Sequence, residues 1–330
     1  MKYLTILLLL LLMCEPAQVV PEADPIEITE WPVPWDNTRP RDPYVENENR
    51  VWFVGQRDDY VGLLNPETGE FKRYELEAGA GPHNVIVDEE GYPWYAGNRA
   101  AHIGKLDPET GEITKYPMPD PAARDPHTLI FDSHGDIWFT VQGGNFVGKL
   151  TRSSGEVQLI KVPTPSSRPY GIVIDSNDRP WIVLFGSYKL ATVDPETMEL
   201  EEIPLPREDA RPRRLAVTTD GMVYYVDYAK GFLGRYNPAD GSFKEWASPG
   251  GAGARAYGMA IDDQDRPWFV ESGPDPNKFV GFDPETEEFF SVTDVGSGGG
   301  TVRHMVFYEP TRTVWFGADT NTVGRAMIPE

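Results

Sequence analysis

The sequence has little cysteine, little positive charge and one short hydrophobic run. Its single cysteine, Cys14, excludes an intrachain disulfide and a cysteine-ligated metal site. Thirty basic residues face 52 acidic ones, a net charge of −22. That field argues against nucleic acid and anionic membrane surfaces as partners, because both repel it. The apolar run from Leu4 to Met13 is too short to cross a bilayer of ~30 Å as a helix.

The amino-terminal segment is typical of an export signal. Lys2 precedes the apolar run, so residues 1–14 are interpreted as a signal peptide. Cys14 resembles the acceptor of a bacterial lipoprotein signal, and the alternative is simple secretion with a free thiol. Residues 15–26 are rich in proline and acid and are interpreted as a linker. We therefore expect a protein of the periplasm or cell envelope, with a lipid anchor as its one contact with the membrane.

The rest of the chain is built from an internal repeat. Glycine, proline and aromatic residues are frequent, which favours short strands and turns. Segments such as GPHNVIVDEEGYPWYAGN (81–98) and DPHTLIFDSHGDIWFTVQ (125–142) recur with a period of about 43 residues. Each unit holds four short β-runs separated by turns such as DPETG (107–111). Four strands per unit is the blade of a β-propeller.

Seven units are present, and the last one lacks its fourth strand. The missing strand is found at the other end, since EITEWPVP (27–34) closely copies EITKYPMP (112–119). The sequence therefore predicts an all-β, seven-bladed β-propeller with four-stranded blades. The amino-terminal strand completes the last blade and closes the ring, which removes open sheet edges. Residues 27–330 form one domain in this interpretation.

One column of the repeat carries chemically active side chains. Equivalent positions of all blades converge at the mouth of the central channel. The column predicted there consists of Tyr44, His83, His127, Tyr170, Arg213, Tyr257 and His304. Neighbouring columns contribute Asp125, Arg168 and Glu271. This set does not suit a hydrophobic core.

The chemistry of this set leaves several functions open. The histidines His83, His127 and His304 are candidate general bases. The carboxylates of Asp125 and Glu271 are candidate Mg²⁺ ligands. A further group of side chains is the candidate substrate-binding set, because guanidinium groups bind carboxylate or phosphate through paired N–H groups. Its members are Tyr44, Arg168, Tyr170, Arg213 and Tyr257. The alternative is a water-filled channel with a merely polar lining.

The repeat resembles that of the streptogramin B lyase (virginiamycin B lyase) family. The matching segments include RPYGIVID (168–175), DIWFTVQGGNFVGKL (136–150) and EITKYPMP (112–119). The resemblance covers residues 27–330. It implies a seven-bladed propeller and a Mg²⁺-dependent elimination that opens a cyclic depsipeptide at its ester linkage. It also implies a histidine as general base and a magnesium ion held by acidic residues.

The family's signature is R-P-H in the sixth unit and E-P-H in the seventh. This chain has Arg255-Ala256-Tyr257 and, by chain order, Val302-Arg303-His304 at those places. The similar triplets Gly81-Pro82-His83 and Asp125-Pro126-His127 lie in units two and three.

Three functions remain as hypotheses. The first is an exported Mg²⁺-dependent carbon–oxygen lyase that acts on an ester or lactone. The second is a non-catalytic envelope propeller that binds a peptide, sugar or protein at the channel mouth. The third is a metal-dependent lactonase-type hydrolase built around Asp227 and Glu271. The partner expected at the channel mouth is a small-molecule or peptide ligand, and the chain is expected to be a monomer.

Overall fold

The protein is a seven-bladed β-propeller. The computed structural model describes residues 25–330, so the predicted signal peptide, Cys14 and most of the predicted linker lie outside the described residues. The 28 strands form seven antiparallel sheets of four strands each. Neighbouring inner strands contact one another all the way round the ring, including the first with the last. The predicted fold class is confirmed.

Each of the first six blades uses four consecutive strands. Blades 1 to 3 comprise β2 (Pro40–Asn47), β3 (Arg50–Gly55), β4 (Tyr60–Asn65), β5 (Glu70–Glu75); β6 (Pro82–Val87), β7 (Pro93–Gly97), β8 (His102–Leu106), β9 (Ile113–Pro117); and β10 (Pro126–Phe131), β11 (Ile137–Val141), β12 (Phe146–Thr151), β13 (Glu156–Lys161). Blades 4 to 6 comprise β14 (Pro169–Ile174), β15 (Pro180–Leu184), β16 (Lys189–Val193), β17 (Leu200–Pro204); β18 (Pro212–Val217), β19 (Val223–Asp227), β20 (Phe232–Asn237), β21 (Ser242–Ala247); and β22 (Ala256–Ile261), β23 (Pro267–Glu271), β24 (Lys278–Asp283), β25 (Glu288–Asp294).

The seventh blade joins the two ends of the described chain. It contains β26 (Val302–Tyr308), β27 (Thr313–Ala318), β28 (Thr322–Met327) and, as its outermost strand, β1 (Ile28–Pro32). The pairing of β1 with β28 is antiparallel, with Glu30 opposite Gly324. Trp31 stacks on Trp315 with ring centroids 5.4 Å apart. The amino-terminal strand therefore closes the ring, as its likeness to residues 112–119 predicted.

A repeated aspartate–tryptophan contact fixes the turn after the inner strand. In four blades an aspartate accepts hydrogen bonds from turn amides and from the indole Nε1–H of the tryptophan six residues later. The pairs are Asp88–Trp94 (2.8 Å), Asp132–Trp138 (3.1 Å), Asp175–Trp181 (2.9 Å) and Asp262–Trp268 (2.9 Å). The same rings pack between blades, and Trp94 shares a cluster with Phe139 of the next blade. Each of these four blades thereby buries its tryptophan and satisfies the indole N–H, the only polar group of that side chain.

The registers of the strands decide which residues reach the channel mouth. In every blade the first residue of the inner strand pairs with the last residue of the second strand, for example Pro82 with Gly97 and Pro126 with Val141. A bulge follows at once, between Pro82 and Val85 in blade 2. The two residues inside that bulge are released from regular pairing, which is how bulges redirect side chains.

Among residues 25–330, no helix is long and apolar enough to cross a membrane.

Replacing Trp31 by alanine should lower the free energy of unfolding by about 2 kcal/mol, because a half-buried indole is removed from its stack on Trp315. The matched control is Trp246→Ala, which removes a similar half-buried indole stacked on Tyr224 in blade 5. Thermal unfolding measures the stability of both variants, and hydrogen exchange measures how readily their strands open. Only Trp31→Ala should accelerate exchange in β28, and unchanged exchange there would contradict closure by β1.

Candidate functional site

Two successive residues of each inner strand form two rings across the channel. In every blade, the strand registers place the second residue of the inner strand at the mouth of the channel. We call these seven residues the mouth ring, which consists of Arg41, His83, His127, Tyr170, Arg213, Tyr257 and Arg303. The third residue of each inner strand lies one level deeper in the channel. These residues form the second ring, which consists of Asp42, Asn84, Thr128, Gly171, Arg214, Gly258 and His304. Five residues of the predicted column share this register position, namely His83, His127, Tyr170, Arg213 and Tyr257.

The registers correct the other two positions. Tyr44 pairs with Trp52, as Ile86 pairs with Trp94, so Tyr44 lies three residues further along its strand than the mouth ring. His304 lies one residue further along than predicted and belongs to the second ring. The sequence alignment was wrong in blade 1 because Pro43-Tyr44 imitates the motif three residues beyond Pro40-Arg41, and in blade 7 because Val302 replaces the proline that marks the first strand position.

The two predicted metal-ligating carboxylates bind backbone amides. Asp125 accepts hydrogen bonds from the amides of Gly143 and Gly144 at 2.5 and 2.9 Å. Glu271 is buried and accepts a hydrogen bond from the amide of Gly250 at 2.8 Å. Burial raises the pKa of Glu271. Both side chains therefore cap loops beside the channel.

Three aromatic rings of the mouth ring pack against one another in sequence, each tilted relative to the next. The imidazole centroids of His83 and His127 are 3.4 Å apart, and that of His127 lies 4.0 Å from the ring of Tyr170. His127 Nδ1 is 2.9 Å from the hydroxyl of Thr128. Its Nε2 and the Nδ1 of His83 are buried without a hydrogen-bond partner among residues 25–330. Each histidine thus has one buried ring nitrogen that no described residue satisfies.

An arginine and two tyrosines continue the mouth ring. The hydroxyls of Tyr170 and Tyr257 share a short hydrogen bond, and both rings are buried. The guanidinium of Arg213 lies 4.0 Å from the centroid of Tyr257, and also lies over Phe185 and Tyr228 at 4.3 and 4.4 Å. These cation–π contacts hold the guanidinium plane in place without neutralising its charge.

Below the mouth ring, Arg214 spans the channel. This blade-5 side chain donates to the carboxylate of Asp42 in blade 1 (3.2 Å) and to the hydroxyl of Thr128 in blade 3 (3.1 Å). Its Nε donates to the carbonyl of Arg303 in blade 7 at 3.0 Å. Arg41 holds the other oxygen of Asp42 at 2.9 Å. Asp42, Arg41 and Arg214 are each at most 3% exposed, so this is a buried ion triad that links four blades.

The cationic surroundings decide the charge of the histidines and Tyr170. Burial and the nearby arginines hold the pKa of His83 and His127 well below the usual value, and burial and Arg214 lower the pKa of His304 to about 3. All three imidazoles are therefore neutral near pH 7. Burial opposes ionisation of Tyr170, yet Arg213, Arg41 and Arg214 together lower its pKa to about 8. Burial raises the pKa of its partner Tyr257.

Sequence reasoning missed Arg41, Arg214 and Arg303 as members of the site. A signal for Arg41 was present, because Arg39-Pro40-Arg41 repeats the pattern of Arg168-Pro169-Tyr170 and Arg211-Pro212-Arg213. Arg214 and Arg303 carry no such motif. Their placement depends on the bulge and on the register of β26.

The side chains around the mouth ring do not fit a magnesium ion. Within the described part of the chain, no group of three or more His, Cys, Asp or Glu side chains is arranged to hold a metal. The carboxylate nearest to a mouth histidine is Asp42, whose Oδ2 lies 3.8 Å from His83 Nδ1. Both of its oxygens are already bound by arginines. Guanidinium groups around one paired carboxylate repel a divalent cation and attract an anion.

Comparison with known proteins assigns the family. The model of the virginiamycin B lyase family matches residues 22–193, which is about half of the chain.

The chain belongs to the virginiamycin B lyase family.

Solved structures support the fold. A streptogramin B lyase structure matches with TM-score 0.82 and 24% identity, over 92% of this chain and 98% of that chain. Virginiamycin B lyase from Staphylococcus aureus matches with TM-score 0.82 and 20% identity, over 92% and 100% of the two chains. A catalytically inactive variant of the Staphylococcus aureus enzyme with quinupristin gives TM-score 0.83 and 21% identity, over the same 92% and 100%. A sequence search of curated proteins finds no match.

By chain order, the places that the resemblance assigns to the family's signature carry other residues in this chain. The registers place Arg255-Ala256-Tyr257 in the sixth blade and Thr301-Val302-Arg303 in the seventh at the places of R-P-H and E-P-H. Neither triplet supplies a histidine to the mouth ring. The histidines of that ring come from blades 2 and 3.

Replacing Asp42 by asparagine should lower the free energy of unfolding by about 3 kcal/mol, because two buried arginines lose their counter-ion. The double variant Asp42→Asn/Arg214→Met should lose less unfolding free energy than the sum of the losses in the two single variants. Burial opposes ionisation of Asp42, but Arg41 and Arg214 lower its pKa below the ordinary 3.8. Its contribution is therefore complete above that value and is lost as the pH falls through the lowered pKa. Urea unfolding at several pH values measures this, and additive losses would refute the coupling.

Titration of the phenols should show one tyrosine that ionises near pH 8, which is Tyr170. Ultraviolet absorbance of tyrosinate measures it. The step should disappear in Tyr170→Phe and persist in Tyr116→Phe, which removes a phenol stacked on Trp94 on an outer strand. Arg213→Met should move the step to higher pH, since Arg213 contributes most to the lowering. A step that survives in Tyr170→Phe would disprove the assignment.

Proposed function

We propose that this member of the virginiamycin B lyase family binds an anionic small molecule at the mouth ring. The observation that carries the proposal is the charge at the channel mouth. A chain with net charge −22 gathers Arg41, Arg213, Arg214 and Arg303 in the two rings, against the single carboxylate of Asp42. Such a concentration of positive charge costs stability unless a ligand uses it.

The partners of these arginines show where an anion would sit. The carboxylate of Asp42 binds Arg41 and Arg214, and the carboxylate of Asp319 binds Arg303. Arg213 lies against aromatic faces, and its buried Nε has no hydrogen-bond partner among residues 25–330. A carboxylate or phosphate bound in the plane of this guanidinium would gain two charge-assisted hydrogen bonds. The aromatic walls favour a ligand with an apolar or aromatic body beside its anionic group.

A second candidate function is elimination without a magnesium ion. Its supporting observation is the neutral imidazole of His127, whose Nε2 has no hydrogen-bond partner among the described residues. Such a base can take the α-proton of an ester substrate while the carbon–oxygen bond breaks, which leaves a carbon–carbon double bond and a carboxylate. The neighbouring guanidinium groups would stabilise the negative charge that develops.

The lactonase hypothesis has less support. A metal-dependent lactonase would need a cluster of oxygen ligands in the channel. Asp227 binds Arg207 at 2.6 Å and the amide of Arg211 at 2.9 Å, while Glu271 caps Gly250. These two carboxylates stabilise the structure of their loops.

Export to the cell envelope remains part of the proposal. It rests on the sequence of residues 1–14 alone, which ends at the candidate lipid acceptor Cys14.

Binding of benzoate and benzylamine tests the anion site, because the two molecules have similar shape and opposite charge. Calorimetry should show benzoate bound more tightly, and Arg213→Met should weaken benzoate binding by about tenfold or more through the loss of a charge-assisted hydrogen bond. The control is Arg235→Met, which removes a guanidinium that lies over Trp246, far from the mouth ring. Equal binding of the two probes would overturn the proposal.

Incubation with quinupristin tests the second candidate. If the protein opens it by elimination, EDTA should leave the rate unchanged and His127→Gln should abolish it, as followed by mass spectrometry. Hydrolysis adds the mass of water, whereas elimination does not. A rate that requires added Mg²⁺ would contradict the metal-free reaction.

A further inference from the structure

The channel has a second compartment on the far side of Arg214. A cavity of about 370 Å³ extends from the second ring to the ends of the inner strands. Aliphatic and methionine side chains line it, and the lining includes Ile130, Val173, Val217, Met259 and Met305. Arg214 separates this compartment from the mouth ring, because its contacts reach across to blades 1, 3 and 7. The two halves of one channel therefore differ in chemistry.

An apolar channel of this size is unusual as a purely structural feature. Water in a channel needs polar groups to bind, and a lining of aliphatic side chains offers few. The volume and the lining fall in the range of small-molecule sites, which are mostly apolar with a few placed polar groups. The polar groups here lie at the floor, where His304, Asn84 and Thr128 of the second ring join the lining. The elongated shape of a channel suits a chain rather than a flat ring system.

The opening of this compartment is acidic. Each of the seven turns that join the first and second strands of a blade carries at least one carboxylate, from Glu48 in blade 1 to Glu309 in blade 7. These turns surround the end of the channel opposite the mouth ring, because all inner strands run in the same direction. The charge there is opposite to the charge at the mouth ring. Several of these carboxylates are paired, Asp88 and Glu89 with Arg152 and Asp132 with Lys149, and the carboxylates that remain give a field that favours a cation.

We infer that the compartment beyond Arg214 binds a cationic amphiphile, with its aliphatic chain in the apolar channel and its ammonium group at the acidic turns. This site is separate from the anion site of the mouth ring. Its occupant is identified by the cavity volume, the aliphatic lining and the sign of the charge at the opening.

Methionine methyl signals report on binding to the compartment in the chain of unchanged sequence. Met259 and Met305 line the compartment, whereas Met118, Met198 and Met327 lie elsewhere and serve as internal controls. Octyltrimethylammonium, below its micelle concentration, should shift the signals of Met259 and Met305 in the full chain labelled with ¹³C-methyl methionine. Met259→Leu and Met305→Leu assign these signals. No shift of either signal would overturn the inference.

The head group is tested with octanol and octanoate, which carry the same chain. The expected order of affinity is the ammonium compound, then octanol, then octanoate, and added salt should reduce the difference. An octanoate affinity equal to that of the cation would refute the assigned head group.

Blocking the channel gives an independent test. Val217 is a partly exposed residue of the lining, and Val217→Trp should weaken the binding of octyltrimethylammonium at least tenfold. Val157→Trp, at a partly exposed position on an outermost strand of blade 3, is the control. Arg213→Met should leave this binding unchanged, which distinguishes failure of this inference from failure of the anion site. If Val217→Trp fails to fold in thermal unfolding, the methyl shifts still decide.

Discussion

The pairing of β1 with β28 is the constraint on which the rest of the structure depends. Seven blades form a ring only if the last blade contacts the first, and the outermost strand of that blade comes from the opposite end of the described chain. Without closure, the inner strands of blades 1 and 7 would not be held together, and Asp42 would lose its fixed position relative to Arg214. The polar centre of the channel therefore depends on a pairing at the outer edge of one blade.

Arg214 divides the channel into two parts with different linings. On one side, unpaired guanidinium charge and neutral imidazoles suit an anion and proton transfer. On the other side, an aliphatic wall suits an apolar chain. The same triad with Asp42 and Arg41 also links four blades, so this centre serves both stability and the separation of the two compartments.

The described residues of this member of the virginiamycin B lyase family hold no cluster of three or more His, Cys, Asp or Glu side chains arranged for a metal. Mouth-ring histidines come from blades 2 and 3, and the signature places in blades 6 and 7 hold Tyr257 and Arg303. Each predicted metal ligand, Asp125 and Glu271, is hydrogen-bonded to loop amides. The scaffold is thus retained, while arginines, histidines and tyrosines occupy its mouth ring.

The sequence by itself determined the number of blades, their four strands, the closing strand and five members of the mouth ring, because each of these follows from a repeat of fixed period. It did not determine the ring positions in blades 1 and 7, where the motif is degenerate and a shift of one to three residues moves a side chain to a different level of the channel. Only the tertiary structure showed that Arg214 reaches Asp42, since residues 172 positions apart meet there through ring closure. Likewise, the sequence named Asp125 and Glu271 as carboxylates near the channel, but their hydrogen bonds to loop amides depend on backbone geometry that residue types do not encode.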